Sequence, residues 1–385
     1  MEIYVHIPFC VKKCNYCDFL SAPAGADVID AYVTSLIKEI RQRANLFEVR
    51  EKITSVYFGG GTPSLLSRKQ IEAVMTAIRD SFCIADDAEV TIEVNPKTVD
   101  GDKLSFLNQS GFNRLSIGMQ SSHDDELKLL GRIHSYDDFL RTFSDARKSG
   151  FANINVDIMT ALPGQDEKRL SATLEKVMSL SPEHISAYSL IIEPGTPFYS
   201  AYKDVEGPVV GEEMERKLYW NTVSYLKENG YEHYEISNFA KHGYEGKHNL
   251  GYWERVPYLG VGLGASSFLR INNNVISREY ALEKRTRNET NLSKYIENPL
   301  SVIEKIILEK KDAMEEFFFL GLREICGVNL NDFKDIFGMD ARSEYGEVIH
   351  NLVSNSLLTD EGDRIFLTNR GIDYGNYVFS RFLKD

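Results

Sequence analysis

The stretch YVHIPFCVKKCNYC, residues 4–17, sets three cysteines at CxxxCxxC spacing directly behind a short apolar run. Residues 3–7 are rich in β-branched and aromatic side chains and predict a strand; the cysteine run predicts the loop that leaves it. Three thiolates on one short loop, Cys10, Cys14 and Cys17, can each take one iron of a cubane 4Fe-4S cluster, whereas ordinary electron-transfer clusters use four. The missing fourth thiolate leaves one iron with an open position. The amino and carboxylate groups of S-adenosylmethionine (SAM) can chelate that iron, and the cluster can then deliver an electron to the sulfonium. The competing reading is a zinc site, which needs four ligands in tetrahedral closure and could draw only on His6, on the preceding strand.

Outward from this loop, short β-rich runs alternate with amphipathic stretches. Further strands are expected at 55–58, 89–94, 114–118, 153–158 and 184–191, and helices at 32–46, 68–82, 136–149 and 167–179. Strand and helix in repetition argue for parallel βα units, six of them, forming a barrel or part of one with its chemistry at the C-terminal ends of the strands. After residue 192 the regularity fails. Residues 193–202 look like a loop, 214–229 a helix, 231–239 one strand, and 281–294 a connecting helix or loop. From residue 312 three helices (315–323, 331–337, 343–355) and a hairpin at 357–367 predict a small winged-helix-like domain. The expected fold is therefore α/β: a barrel part at 1–240, an extension at 241–311 and a C-terminal domain at 312–385.

Composition narrows the function. The 385 residues are 43% hydrophobic and 26% charged, enough to bury a large core. The net charge of −13 gives no electrostatic support to nucleic-acid binding, so the winged-helix-like part is expected to pack or to meet a protein partner. No apolar run approaches the ~18 residues of a membrane span, and the first residues carry no basic n-region or apolar h-region, so a cytoplasmic protein is expected. Five cysteines, three of them within eight residues, do not form a secreted disulfide pattern. Cys83 and Cys326 stand among apolar residues and are expected as small core side chains.

The cysteine loop resembles that of the radical SAM superfamily. The likeness continues at FGGGTP (58–63), where three glycines between a strand and a helix let backbone approach a ligand and present free N–H groups. Further runs resemble the oxygen-independent coproporphyrinogen III oxidase family: TIEVNP (91–96), RLSIGMQS (114–121), LGR (130–132) and NVD (155–157). That resemblance implies a partial (β/α)6 radical SAM barrel in which Tyr4, Gly60 and Glu93 contact the cluster-bound SAM. Tyr16, Gly61, Thr62, Gln120, Arg132 and Asp157 match positions that hold a second SAM in the oxidase. Glu93 could accept from ribose hydroxyls, and Arg132 could fork onto a carboxylate.

Two departures separate the chain from the oxidase. Phe19 stands where the oxidase carries another cysteine, and only three residues precede Tyr4, where the oxidase has an additional segment covering its substrate. Both are features of a related branch of heme chaperones, as is the HNxxYW run of residues 248–253. The resemblance implies heme as a further ligand, with the imidazole of His248 as the candidate iron ligand and Tyr252 and Trp253 facing the porphyrin. It also implies a protein that accepts the heme, such as a respiratory heme protein; peripheral membrane association and a homodimer stay open. The bland reading is that His248 and Trp253 pack the end of the barrel. The rival function is catalysis: decarboxylation of coproporphyrinogen III. A GxGxxA run at 260–265, with Glu279 at the acidic spacing, is not expected to bind a dinucleotide because no helix follows it.

Overall fold

The computed structural model describes residues 1–46, 52–271 and 282–384. Six strands pair in parallel and in chain order: β1 (Glu2–Ile7), β2 (Ile53–Gly60), β3 (Ile84–Val94), β4 (Arg114–Gln120), β5 (Asn153–Thr160) and β6 (His184–Ser189). Their alternate side chains Ile3, Val5, Ile7, Val56, Phe58, Ile92, Leu115, Ile117, Ile154, Val156 and Ile185 are all fully buried. They meet the apolar faces of the crossover helices, with Leu36, Ile71, Val74, Leu104, Phe139, Leu170 and Val177 in the same core. Burial on both faces is what a parallel sheet demands, which is why these strands read as nearly continuous apolar runs.

Helix starts follow the local chemistry. Helix Arg68–Ser81 opens on a reciprocal capping box between Ser67 and Gln70, and helix Tyr136–Lys148 on one between Ser135 and Asp138. Asp100 and Asp166 cap helices Gly101–Gln109 and Glu167–Leu180.

The sheet continues beyond the six strands on both sides. A hairpin of β7 (Glu232–Glu235) and β8 (Asn238–Ala240) pairs onto β6, so the single strand expected at 231–239 is in fact two. The turn between them is held by Ser237 N, which donates to Glu235 Oε1 (2.9 Å). On the other side β9 (Tyr258–Val261) runs parallel to β1, followed antiparallel by β10 (Ser266–Arg270), β11 (Glu283–Asn288) and β12 (Val302–Leu308). The order is β12-β11-β10-β9-β1-β2-β3-β4-β5-β6-β8-β7, and β12 and β7 do not pair with each other, so the barrel is partial.

Several expectations are corrected. Residues 283–288 form a strand, not a helix or loop, because β11 lies between β10 and β12 and its Arg285 guanidinium lies over the Phe268 ring (4.8 Å). Residues 193–202 hold a short helix, Pro197–Tyr202, capped by Thr196 with proline in its first turn. Cys83 and Cys326 are exposed rather than in the core. The glycines of the GxGxxA run serve close packing: a Cβ on Gly260 would lie 2.0 Å from Ser266 O, and Gly262 has φ +104° with its N–H donated to buried Glu39 (2.8 Å). Glu279 lies outside the described residues.

The C-terminal elements run helix Lys310–Gly321, β13 (Val328–Asn329), helix Leu330–Phe337, helix Ala341–Ser354, then hairpin β14 (Leu358–Asp360) and β15 (Arg364–Leu367). This is the winged-helix arrangement, around its own core of Phe318, Phe333, Phe337, Tyr345 and Phe382. Buried ions join it to the sheet. Glu316 accepts from Arg255 Nε (3.1 Å) and Arg285 (2.9 Å), while Arg255 also reaches Glu283.

Candidate functional site

The C-terminal ends of β1 to β6 surround a pocket of about 500 Å³. The cysteine loop closes over one side of it. Its ends are tied by Cys10 N to Ala22 O (3.2 Å) and Ala22 N to Pro8 O (3.0 Å), and its middle by Asn15 N to Leu130 O (2.9 Å) and Phe198 N to Asn15 O (2.9 Å). Cys10, Cys14 and Cys17 are free thiols, half-buried, and all three line the pocket. Thr62 Oγ1 donates toward Cys10 Sγ (3.6 Å) and Arg132 Nη1 toward Cys14 Sγ (3.7 Å). Donors aimed at sulfur stabilise thiolate charge. Burial pushes the Cys17 thiol up.

The glycine run packs against this loop. Gly60 has φ +107°, and a Cβ there would sit 2.4 Å from the His6 ring; one on Gly61 would sit 2.7 Å from Phe9 O. The N–H groups are not free, contrary to expectation. Gly60 N donates to Glu93 Oε2 (3.1 Å), Gly61 N to Ile7 O (2.8 Å) and Thr62 N to Phe9 O (2.7 Å). The glycines therefore bring the cysteine loop and the end of β2 into close contact.

Two half-buried acids stand in the wall. Glu93 on β3 accepts from Tyr57 OH (3.0 Å) as well as from Gly60 N; burial, with Asp157 adding, raises its pKa to about 7. Asp157 on β5 accepts from Asn155 Nδ2 (2.6 Å), and burial pushes it up too. Gln120 ends β4 in the left-handed region (φ +69°) and accepts from Tyr188 OH (3.0 Å). Arg132 donates to Gly118 O (2.8 Å) and to Asn95, whose own amide donates to Thr62 (2.8 Å). One edge of its guanidinium is thus already spent within the wall.

Tyr16, Gly60, Gly61, Thr62, Glu93, Gln120, Arg132 and Asp157 all line this pocket with the three cysteines. Tyr4 does not. Its hydroxyl pairs with His6 Nδ1 (3.1 Å) and its ring stacks near Tyr57 and His248, a layer below. His248 does not reach the pocket either, and its neighbour Asn249 takes the place instead.

Residues 4–177 match the radical SAM superfamily, and residues 308–374 match the HemN C-terminal domain. The fold is similar to coproporphyrinogen III oxidase HemN of Escherichia coli, with a TM-score of 0.81 at 23% identity, covering 99% of this chain and 89% of that one. Similar sequences include heme chaperone HemW of Lactococcus lactis, 36% identical over 99% of this chain and 97% of that protein. Heme chaperone HemW of Bacillus subtilis is 34% identical over 99% and 98%. The chain belongs to the HemW family.

As a radical SAM protein, a HemW-family chain implies a 4Fe-4S cluster and SAM. The residues present fit both: three free thiols on one braced loop with donors at two sulfurs, opening onto a pocket of about 500 Å³ walled by Glu93, Gln120 and Asp157. The HNxxYW run of this HemW-family chain folds as helix Lys247–Trp253. Here His248 is 2% exposed, with Nδ1 bonded to Ser55 Oγ (2.7 Å) and Nε2 to Tyr252 OH (2.9 Å). Tyr57 stacks on its face (5.2 Å between centroids), and burial lowers its pKa to about 3. Both ring nitrogens are hydrogen-bonded, the arrangement expected if His248 packs the end of the barrel. Trp253 lies under the Arg323 guanidinium (4.5 Å), at the junction with the C-terminal elements.

Sequence reasoning missed Tyr57, Asn95, Arg114, Ser116, Asn155 and Tyr188, which also line the pocket. The signal was available. Each is a polar residue at an alternate position of an apolar strand or at its end, pointing opposite to the buried aliphatic set.

Proposed function

We propose that this chain is a heme chaperone: it binds heme beside a SAM-coordinated 4Fe-4S cluster and passes the heme to an acceptor protein. Cys10, Cys14 and Cys17 hold the cluster, and SAM lies against Gly60, Gly61, Thr62 and Glu93. Tyr16, Gln120, Arg132 and Asp157 line the space beyond. When bound, the cluster supplies a single electron to SAM. The chain's own residues orient and shield: Thr62 and Arg132 direct donors at the sulfurs, and the part-neutral Glu93 can accept from or donate to ligand hydroxyls. Residues 1–240 form the cofactor barrel, 241–311 its extension and 312–385 a docked C-terminal domain.

The observation that carries the heme reading is the rim of the pocket. Phe19 (58% exposed) and Ile191 (67%) stand at its mouth, with Val11 (55%) and Ile133 (37%) on the adjoining groove. Large apolar side chains so exposed around one opening mark a binding surface. Lys12 and Lys13 stand in the same rim, on a chain of net charge −13. An apolar ring flanked by two ammonium groups suits a flat macrocycle that carries carboxylates at one edge. Full-length similarity to proteins named heme chaperones supports the same reading.

The test is a heme titration of cluster-loaded protein, followed by Soret absorbance. Changing Phe19 and Ile191 together to Ser should weaken heme binding about a hundredfold or more, at roughly 1.5–3 kcal/mol for each large side chain, while the cluster absorbance persists. Unchanged affinity would overturn the placement. Turnover of coproporphyrinogen III by wild-type protein would replace the chaperone reading with the enzymatic one.

A further inference from the structure

The mouth of the pocket is bordered by a segment that the rest of the chain barely holds. Ile191 and Glu193 line the opening, and from there the chain runs through helix Pro197–Tyr202 to helix Glu212–Glu228. Leu190 N still donates to Thr160 O at the end of β5 (2.9 Å). Beyond it, among the described residues, one hydrogen bond ties residues 191–207 to the rest of the protein: Phe198 N donates to Asn15 O (2.9 Å). The other bonds of the segment are internal, such as Thr196 Oγ1 to Glu193 O (2.7 Å) and Lys203 N to Tyr199 O (2.8 Å). Gly195 and Gly207 stand at positive φ (+83° and +75°), so the chain can bend on either side of the short helix. Its packing goes to a small core apart from the main one, where Phe198 meets Leu130, Met159, Leu162 and Leu190 with Tyr16 against them.

The acceptor of that one bond lies between two cluster cysteines. Asn15 follows Cys14 directly; its N–H donates to Leu130 O (2.9 Å) and its side-chain amide to Leu129 O (2.8 Å). Yet from Val11 to Leu20 no residue is buried. A loop with so little core is not fixed by packing. Three thiolate bonds to one cluster, at Cys10, Cys14 and Cys17, would fix it, and with it the carbonyl of Asn15. Phe198 sits in the first turn of its helix, where its N–H has no intrahelical acceptor and Asn15 O supplies one. A segment held by one outside bond and a small core opens at low cost, so anchoring the acceptor shifts its equilibrium toward the closed form.

We propose that residues 191–207 are a lid on the pocket, latched through Asn15 O, and that filling the cysteine loop with its cluster closes it. The lid rests on the reading of this pocket as a ligand site and adds its regulation: a ligand at the mouth, beside Ile191, is retained while the loop is filled and freed when it is empty. Asn15 acts through backbone geometry and not through contact with a ligand, so it is a positioning residue.

Hydrogen exchange followed by mass spectrometry, on the heme-free full chain with its cluster reconstituted and after removal of the cluster by a chelator, reads the latch directly. Peptides within 191–207 should exchange about tenfold faster or more in the cluster-free chain, while helices Glu167–Leu180 and Ala341–Ser354 change by less than about twofold. Equal exchange of 191–207 in the two forms, or an increase spread evenly over the chain, would overturn the lid. Two variants locate the latch. Phe198→Leu keeps the amide and most of the bulk and should respond to the cluster as wild type does. Phe198→Pro removes the N–H and should leave the segment exchanging fast in both forms. A missing response in the first, or a full response in the second, would overturn the hydrogen bond as the latch. No heme enters these measurements. Failure of the heme placement at the rim leaves their result standing, and a lid that does not respond leaves the heme titration standing, so the two readings fail separately.

Discussion

Replacing His248 decides what the HNxxYW helix does. The imidazole bridges Ser55 and Tyr252 and lies face to face with Tyr57, almost fully buried. His248→Ala strands two hydroxyl groups, at about 1–3 kcal/mol each, and leaves a ring-sized cavity, a class of change that costs about 3–5 kcal/mol. These terms overlap, so a loss of about 3–5 kcal/mol is expected. At roughly 2–4 °C per kcal/mol for a unit of this size, the barrel should unfold about 6–20 °C lower. His248→Gln, which keeps a donor and an acceptor, should lose less. The pH dependence gives a second reading. The ring's pKa falls to about 3 in the folded protein against about 6.5 unfolded, so between these values the unfolded chain binds a proton that the native chain does not. Its contribution is complete above about pH 6.5 and fades on acidification, by up to ~1.4 kcal/mol per pH unit. The stability gap between wild type and His248→Gln should therefore narrow from pH 7 to pH 5 in urea titrations. Heme affinity, measured on the folded fraction, should stay as in wild type. An unchanged midpoint together with a displaced Soret band in His248→Ala would refute the packing role and restore the ring as an iron ligand.

Two further outcomes follow from the geometry. Cys10→Ala, Cys14→Ala or Cys17→Ala should each abolish the cluster after anaerobic reconstitution, while Cys83→Ala and Cys326→Ala, both at exposed thiols, should retain about four irons per chain by iron analysis. Stoichiometric zinc without iron in wild type would count against the cluster. Glu316→Ala should cost about 1–3 kcal/mol, because Arg285, about a third exposed, loses its partner while Arg255 keeps Glu283; limited proteolysis should then release the C-terminal elements more readily, and an unaltered cleavage pattern would contradict the ion network as the clamp.

The six parallel strands were legible because both faces of each are covered, so their apolar runs stand out. Their ends were read short where polar or glycine residues begin to serve the pocket: β2 runs on through Gly60, and β4 through Gln120. The start of β3, residues 84–88, carries two exposed aspartates, Asp86 and Asp87, and gave no strand signal. That Tyr16, Gly60, Gly61, Thr62, Glu93, Gln120, Arg132 and Asp157 share one pocket with the cysteines was legible by resemblance, because motif residues at strand ends converge in such a barrel. The places of Tyr4 and His248 were not, since the sequence does not reveal which partner takes each polar atom. The aromatic neighbours of His248 read as lining for a macrocycle; in the fold Tyr57 and Tyr252 enclose the ring itself. Cys83 and Cys326 sit beside apolar residues in sequence, yet at element ends where the chain turns outward.

Strand β1, which delivers the cysteine loop, lies in the middle of the sheet, between β2 and β9. Synthesis runs at about 5–20 residues per second, so some 13–50 s separate the emergence of β1 from that of β9. Throughout that interval β1 presents an unpaired apolar edge beside three reactive thiols, the arrangement most open to wrong strand pairing and to oxidation. The nascent chain is thus most in need of a guardian before its own metal site can be shut, and the timing of iron delivery relative to the last sheet strands becomes a determinant of yield.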